Sequence, residues 1–441
     1  MMGYPQYKKT SLEWLEDIPS EWEYGGLTKY LDSIVDYRGK TPEKVEEGIF
    51  LVTAKNIKHG KINYWLSQEF VKLEEYEEVM RRGLPEIGDV LFTTEAPLGE
   101  VANVDRIDIA LAQRIIKFRG IENVLDNYYL KYWIQSHGFQ SHLRTFATGS
   151  TAAGIKASKL SSLQILLPSY SEQKQIVIFL DNKVQEIDNL IAQKEQMISL
   201  FEEKRQSMIT EAVTKGLNPN VKMKNSGVEW IGEIPEHWDI KKMKYLTQSK
   251  LMYGANESAE LDDRTLPRYI RITDIDQHGK LKDDTFKSLS KEVADQYPVI
   301  KGDILFARSG ATVGKSYYHG SKEIASFAGY LIRLRVRKEY NSKYLYYYTQ
   351  SSIYKEWIQS ILIQATIQNV SAEKYANLEI PIPALSEMNQ TVEHIEEIDT
   401  NIYSFISLVT EQIQKLKEYR QSLIYEVVTG KIDVRDFEVE S

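Results

Sequence analysis

Cationic, amide and hydroxyl side chains recur in the polar stretches of two separate segments of this 441-residue sequence. Such groups suit a nucleic acid, because Arg and Lys bind guanine, Asn and Gln bind adenine, and hydroxyls bind phosphate. In the first segment they are Arg38, Lys40, Thr41, Lys55, Asn56, Gln113, Arg114, Thr148, Ser150 and Thr151. In the second they are Arg268, Arg271, Thr273, Arg308, Ser309, Thr312, Lys315, Gln364, Thr366, Gln368 and Asn369. Each residue alone also fits a solvated loop, but together they predict a DNA-contacting surface on each segment.

One stretch imitates a nucleotide-binding loop. Gly310-Ala311-Thr312-Val313-Gly314-Lys315-Ser316 has three residues between its glycines, whereas a P-loop has four. The metalloprotease helix motif, the serine nucleophile elbow and the dinucleotide fingerprint are missing from the sequence. The seven histidines are scattered, and the lack of cysteine excludes a thiolate zinc site and a cysteine nucleophile. The sequence therefore predicts no catalytic residue, no metal site and no cofactor held by this chain.

The composition is typical of a folded globular protein, with 42% hydrophobic and 27% charged residues. The net charge of −8 lies mainly in two long polar helices and the C-terminal tail, which leaves the two candidate segments close to neutral. No apolar run reaches the ~18 residues of a membrane span, and the first residues lack the apolar core of a signal peptide. We expect a cytoplasmic protein with no membrane partner.

Two stretches are patterned for a coiled coil, in which apolar residues recur at a and d positions of a heptad. The first, residues 171–217, places at these positions Leu180, Ile187, Ile191, Ile198 and Phe201. The pattern returns 215 residues later, in 386–432, at Ile395, Ile402, Ile406, Ile413 and Leu416. Because both helices need a partner for their apolar stripe, we expect them to pair with each other.

The duplication extends to the segments that precede the helices. Ile18-Pro19-Ser20-Glu21-Trp22 returns as Ile234-Pro235-Glu236-His237-Trp238, and Gly88-Asp89-Val90-Leu91-Phe92 returns as Gly302-Asp303-Ile304-Leu305-Phe306. Short strand patterns are followed in both copies by a helical stretch, 127–144 and 342–361. The prediction is an α+β fold with five parts: a globular domain at 1–170, a long helix at 171–217, a second globular domain at 218–385, a second long helix at 386–432 and an acidic tail at 433–441.

These motifs together resemble the specificity subunit of type I DNA restriction–modification enzymes. The resemblance covers nearly the whole chain and is carried by the Ile-Pro-x-x-Trp straps, the Gly-Asp strands, Arg308-Ser309-Gly310, Thr148-Gly149-Ser150-Thr151, and the Ser171-Glu172-Gln173-Lys174-Gln175 and Glu211-Ala212-Val213-Thr214 ends of the first long helix. It implies that each globular segment is a target recognition domain for one half of a bipartite, asymmetric site in double-stranded DNA. The two long helices are then expected to pair as an antiparallel coiled coil that separates these domains.

The same resemblance implies partners and a division of labour. Two modification subunits, which use S-adenosylmethionine to methylate adenine, and an ATP- and Mg-dependent restriction (translocase) subunit are expected to assemble on this chain. The chain itself would then be non-catalytic. If the helices set the distance between half-sites, four residues inserted after Gly216 should lengthen the unread spacer. The alternative is a coiled-coil scaffold that presents two protein-binding domains, which salt-dependent DNA binding would distinguish.

Overall fold

The computed structural model describes residues 3–12, 14–37, 42–112, 114–149, 153–276, 279–363 and 368–439. The first copy of the repeat contains strands β1 (Tyr7–Leu12), β2 (Leu15–Pro19), β3 (Glu23–Gly26), β4 (Leu31–Asp36), β5 (Ile49–Val52), β6 (Ile57–Lys58), β7 (Lys61–Ile62), β8 (Phe70–Val71), β9 (Val90–Thr94), β10 (Leu98–Asn103), β11 (Ile109–Leu111), β12 (Ile115–Gly120) and β13 (Gln164–Leu167). Its helices are α1 (Tyr76–Val79), α2 (Asn127–Gln135), α3 (His137–Thr145) and the long α4 (Tyr170–Thr214).

The second copy repeats this plan with shorter strands. They are β14 (Met223–Asn225), β15 (Glu233–Pro235), β16 (Asp239–Lys242), β17 (Met252–Tyr253), β18 (Arg268–Ile270), β19 (Pro298–Val299), β20 (Ile304–Ala307), β21 (Ser316–Tyr318), β22 (Ala325–Phe327), β23 (Leu331–Leu334) and β24 (Glu379–Ile382). The helices are α5 (Lys291–Ala294), α6 (Ser342–Tyr348), α7 (Ser352–Ile363), α8 (Ala372–Ala376) and the long α9 (Leu385–Val428). The predicted α+β class and the internal duplication are both confirmed.

Each domain has an antiparallel four-stranded sheet and a mixed three-stranded sheet. The four-stranded orders are β10-β9-β12-β4 in the first domain and β17-β23-β20-β21 in the second. The three-stranded sheets contain one parallel pair each, β5 with β11 and β18 with β22. Strands β9 and β20 are fully buried, as their apolar Val-Leu-Phe and Ile-Leu-Phe runs predict.

Some stretches that the sequence pattern shows as one element are two elements in the structure. The helical stretch predicted at 127–144 is two helices, because Ser136 leaves the helical conformation and its hydroxyl caps α3 by accepting from the Phe139 amide. Ser351 does the same for α7 by accepting from the Tyr354 amide. The apolar run at residues 109–118 is likewise divided between β11 and β12, with Arg114 in the left-handed conformation at φ 72° where the chain changes sheets.

The chain forms two compact units, and each unit takes a part of both long helices. The first unit is Met1–Lys194 with Glu411–Ser441, and the second is Glu195–Thr410. Each unit therefore combines one recognition domain with the beginning of the long helix that follows it and the end of the other long helix.

Within each unit the helix segments run antiparallel. In the second unit Arg205 forms a two-bonded ion pair with Asp399 (2.7 and 3.0 Å), and Phe201 stacks on Phe405. In the first unit Lys194 donates to Gln412 (2.7 Å), whereas Arg420 lies 3.1 Å from Asp188. The predicted seam residues are buried or half-buried. One arginine adds a polar layer to the seam of each unit, Arg420 in the first and Arg205 in the second.

The ends of the long helices also contribute side chains to the hydrophobic cores of the domains. In the second unit the α4 residues Ile209 and Val213 share one hydrophobic cluster with Tyr344 of α6 and with Met388 and Ile395 of α9. The Tyr344 hydroxyl donates to the Val213 carbonyl at 3.0 Å. Since these contacts fix the second domain to the end of α4, residues inserted after Gly216 would extend a loop and leave the domain in place. The longer spacer expected from the sequence for this insertion is therefore replaced by an unchanged one.

The two Ile-Pro-x-x-Trp straps are buried against the helix ends. Trp238 and Trp22 are fully buried. A Cβ added to Gly216, at φ 76°, would lie 3.1 Å from the Trp238 ring, and one added to Gly430, at φ 71°, would lie 2.4 Å from Pro19 in the first strap. Glycine is required at both helix ends because only glycine combines this conformation with so close an approach.

Both domains have an equivalent ion pair at the start of the central strand. Asp89, whose side chain is 1% exposed, accepts two hydrogen bonds from Arg119 (2.7 and 2.8 Å), and Asp303 accepts two from Arg335 (2.8 and 2.7 Å). Burial alone would raise the pKa of Asp89, but bonds from Arg119, the Glu86 amide and Lys117 hold its pKa below the usual value.

We expect Asp89→Asn to lower the free energy of unfolding of the first unit by about 3 kcal/mol, because it leaves Arg119 and Lys117 without their buried partner. Asp108→Asn, which breaks the exposed Arg106 pair, is the control and should cost less than ~1 kcal/mol.

Because the pKa of Asp89 is lowered by folding, the contribution of Asp89 to the free energy of unfolding is present above the unfolded pKa and is lost as the pH falls through the folded pKa. If Asp89→Asn and Asp108→Asn lowered the free energy of unfolding in urea by the same amount, the structural role of Asp89 would be contradicted.

Candidate nucleic-acid interface

Both domains use the same backbone bridge to bring two candidate loops together. The loop after β9 meets the later polar loop where Glu95 pairs with Gly154, and the loop after β20 meets its counterpart where Ser309 pairs with Asn369. The flanking hydrogen bonds are also repeated, from the Ile155 amide to the Thr94 carbonyl (3.0 Å) and from Val370 to Arg308 (2.8 Å). The bridge holds side chains from distant parts of the sequence at one edge of each domain.

In the first domain a pocket of about 320 Å³, here named the Arg114 surface, lies beside the bridge, since it is lined by Ala96, which follows Glu95. It is lined by Lys44, Thr53, Ala54, Lys55, Glu69, Ala96, Ala112 and Arg114. Arg114 pairs with Glu95 at 2.9 Å and Lys44 pairs with Glu69 at 2.6 Å. All four charged groups stay at least partly exposed, so the surface combines donors and acceptors with a nearly balanced charge.

In the second domain the corresponding edge, here named the Arg308 surface, consists of Tyr253, Arg308, Ser309, Tyr330 and Asn369. The Arg308 guanidinium lies 5.0 Å from the ring centre of Tyr253 and 6.0 Å from that of Tyr330. Among the residues that the structure describes, it has no carboxylate partner. This surface therefore presents an uncompensated positive charge held between aromatic rings.

The two surfaces place an arginine at the same edge from different positions of the repeat. The Thr94 amide donates to the Arg114 carbonyl (2.8 Å), and the Arg308 amide donates to the Tyr330 carbonyl (3.1 Å). Arg114 thus occupies the repeat position of Tyr330, and Arg308 that of Thr94. Sequence reasoning missed Tyr253, Tyr330 and Glu95, and their repeat positions relative to Arg308 and Arg114 were the signal that could have found them.

Asn56 is corrected from a nucleic-acid contact to a structural residue, whereas Arg271 is half-buried in the equivalent turn and its contact with DNA stays a prediction. Asn56 is fully buried; its side-chain oxygen accepts from the Thr53 amide (2.9 Å) and its nitrogen donates to the Asn63 carbonyl (3.1 Å). Arg271, in the equivalent turn, donates to Asp274 at 2.6 Å and to the Thr285 carbonyl at 2.7 Å. Both side chains hold the turn that follows a parallel strand, and full burial leaves Asn56 no surface for DNA.

Four other candidates of the second domain lie outside the bridge between Ser309 and Asn369. Lys315 donates to the Ile275 carbonyl at 2.9 Å, and burial lowers its pKa. Arg268 packs on the Phe286 ring and lies 3.6 Å from Asp283. Thr273 is exposed, and Thr312 ends a short 3-10 turn between Gly310 and β21, so the chain here has no helix to hold a phosphate.

The remaining candidates divide into exposed residues and residues that the structure does not describe. Lys55, Thr148 and Gln368 are exposed. The predictions for Arg38, Lys40, Thr41, Gln113, Ser150, Thr151, Gln364 and Thr366 lie outside the described residues.

The described ranges were also searched for metal-binding groups and membrane spans. Within them, no three or more His, Asp or Glu side chains are arranged to hold a metal ion. No helix in the same ranges is long and apolar enough to cross a bilayer.

The repeated domains correspond to a known family. The sequence profile described as "Type I restriction modification DNA specificity domain" matches residues 34–200 and 235–418. The chain is 25% identical to the type I restriction enzyme MjaVIII specificity subunit of Methanocaldococcus jannaschii, over 95% of both chains. It is 29% identical to the EcoKI specificity subunit of Escherichia coli, over 46% of this chain and 44% of that protein.

A solved structure shows the same fold. A chain from a structure described as the basis of complex assembly and conformational transition of the type I R-M system aligns with a TM-score of 0.69 and 16% identity, covering 94% of this chain and 99% of that chain. The chain belongs to the family of type I restriction–modification specificity subunits.

Neighbouring residues in the first domain should respond oppositely to truncation. Lys55→Ala should weaken DNA binding and reduce the salt slope by about one unit without a change in stability, because Lys55 is exposed. Asn56→Ala should destabilise the first unit by about 1–3 kcal/mol, because buried carbonyls lose their donor. Urea unfolding and salt-dependent DNA titration of both variants test this. A large loss of stability in Lys55→Ala, or none in Asn56→Ala, would contradict the assignment.

Proposed function

We propose that this chain binds double-stranded DNA at a bipartite site, with one recognition domain for each half-site. The observation that carries this proposal is the duplicated bridge with different side chains: Arg114 and Glu95 in the first domain, and Arg308, Ser309 and Asn369 in the second. The same backbone bridge presents two unlike sets of hydrogen-bonding groups. Two domains of this kind select two different half-sites, since base identity is read by donor and acceptor patterns.

In this proposal the chain supplies specificity and assembly, and its partners supply the chemistry. Two modification subunits would bind S-adenosylmethionine and methylate adenine, and a restriction (translocase) subunit would use ATP and Mg. The support is the family membership together with a sequence that carries no nucleotide or methyltransferase motif.

Salt dependence tests the DNA proposal against the protein-scaffold alternative. DNA affinity of the chain assembled with its modification subunits should fall on the order of a thousandfold between 50 and 200 mM salt, because bound lysines and arginines release counterions from phosphates. The affinity of the chain for its modification subunit, measured in the same buffers, is the control. Measurable DNA affinity that is flat across this range would support the scaffold instead.

We further propose that the paired long helices set the number of unread base pairs between the half-sites. Four residues inserted in both helices, between Lys194 and Glu195 and between Thr410 and Glu411, leave all pairings within each unit intact. They lengthen each helix by about 6 Å. Methylation mapping should then show a spacer longer by one or two base pairs, with both half-sites unchanged.

The matched control for this experiment is the same four residues inserted after Gly216. Because Ile209, Val213 and Tyr344 anchor the second domain to the end of α4, this variant should keep the original spacer. A longer spacer in the Gly216 variant, or an unchanged spacer in the double insertion, would refute the proposal that the helices determine spacing.

A further inference from the structure

The Arg308 surface contains two polar groups that the folded domain does not use. Arg308 Nε and Asn369 Oδ1 are shielded from solvent and make no hydrogen bond. Buried polar atoms are almost always paired, so two unpaired ones in adjoining loops require an explanation. The two residues are half-exposed as a whole, so a ligand can reach their side chains at this edge, and we expect its binding to uncover the two unpaired atoms.

The position of Arg308 is restricted by two aromatic rings and by its backbone. The guanidinium lies over the rings of Tyr253 and Tyr330, and the Tyr253 hydroxyl accepts a hydrogen bond from the Ala372 amide at 3.0 Å. The Arg308 amide and carbonyl are bonded to Tyr330 and Val370. A planar donor group held in this way loses little conformational freedom when it binds a planar acceptor.

Asn369 is held next to this arginine by its bridge to Ser309. An amide with no internal partner retains an acceptor and two donors for a ligand. Guanine offers two acceptors to arginine in the major groove, and adenine offers an acceptor and a donor to asparagine. A phosphate would satisfy the arginine but offers no donor to the amide oxygen.

We infer that Arg308 and Asn369 form the base-reading element of the second domain, with Arg308 selecting a guanine and Asn369 a nearby adenine. This inference rests on the proposed function, because it names the bases that one half-site must contain. The first domain lacks this pair of side chains. Gly154 occupies the bridge position that Asn369 has in the second domain, and the charge of Arg114 is neutralised by Glu95. Its half-site is therefore read by other groups.

The test is selection of methylated sites from a randomised DNA library by the chain assembled with its modification subunits. Arg308→Lys keeps the charge but removes the planar fork, and should reduce discrimination for guanine at one position of one half-site by roughly 5- to 150-fold. Asn369→Ala should do the same for adenine at a nearby position of the same half-site. Preferences in the other half-site should not change, which also shows that each variant is folded.

Arg264→Lys is the matched control, because Arg264 also stacks on an aromatic ring, that of Phe286 at 4.9 Å, but lies outside the bridge. It should leave both half-sites unchanged. If Arg308→Lys and Asn369→Ala select the same bases as the unaltered chain, or if binding weakens equally for every sequence, the base-reading inference is wrong while the proposed function stands. If the unaltered complex selects no bipartite sequence, the proposed function itself fails.

Discussion

Each domain depends on burying one core against the ends of two helices that are far apart in the sequence. In the second unit Ile209 and Val213 come from α4 and Met388 and Ile395 from α9, and all four pack with Tyr344. In the first unit the Tyr132 hydroxyl of α2 donates to Asp181 of α4 at 2.5 Å, whereas Gly430 beyond α9 lies against Pro19 and Trp22. A recognition domain separated from either helix end would expose this apolar surface, so domain folding and helix pairing are one process.

The antiparallel seam is specified by more than its apolar residues. Arg205 with Asp399, and Arg420 near Asp188, place a charged pair within the seam of each unit. A half-buried ion pair adds little stability after its desolvation is counted, but a shifted register would leave an unpaired charge against apolar side chains. These pairs therefore restrict the helices to one alignment, and alignment is the property a spacing element needs.

The sequence predicted what is periodic or repeated. The heptads, the 215-residue repeat, the Ile-Pro-x-x-Trp straps and the α+β class follow from side-chain spacing alone. The helix breaks at Ser136 and Ser351 were missed because a capping hydroxyl inside an apolar pattern does not change its period. Among the candidate residues, polarity could not separate Asn56, which is buried in a turn, from exposed Lys55 beside it, because burial is decided by the partners that the fold supplies. The tyrosines beside Arg308 come from positions 55 residues before it and 22 after it, a juxtaposition that only the sheet creates.

We propose that one backbone bridge, used twice with different side chains, reads two unlike half-sites. Mapping every methylated adenine in DNA exposed to this chain with its modification subunits is the direct test. We predict one motif with two different half-sites at a constant separation. A palindromic motif, a single uninterrupted one, or half-sites at variable separation would contradict it.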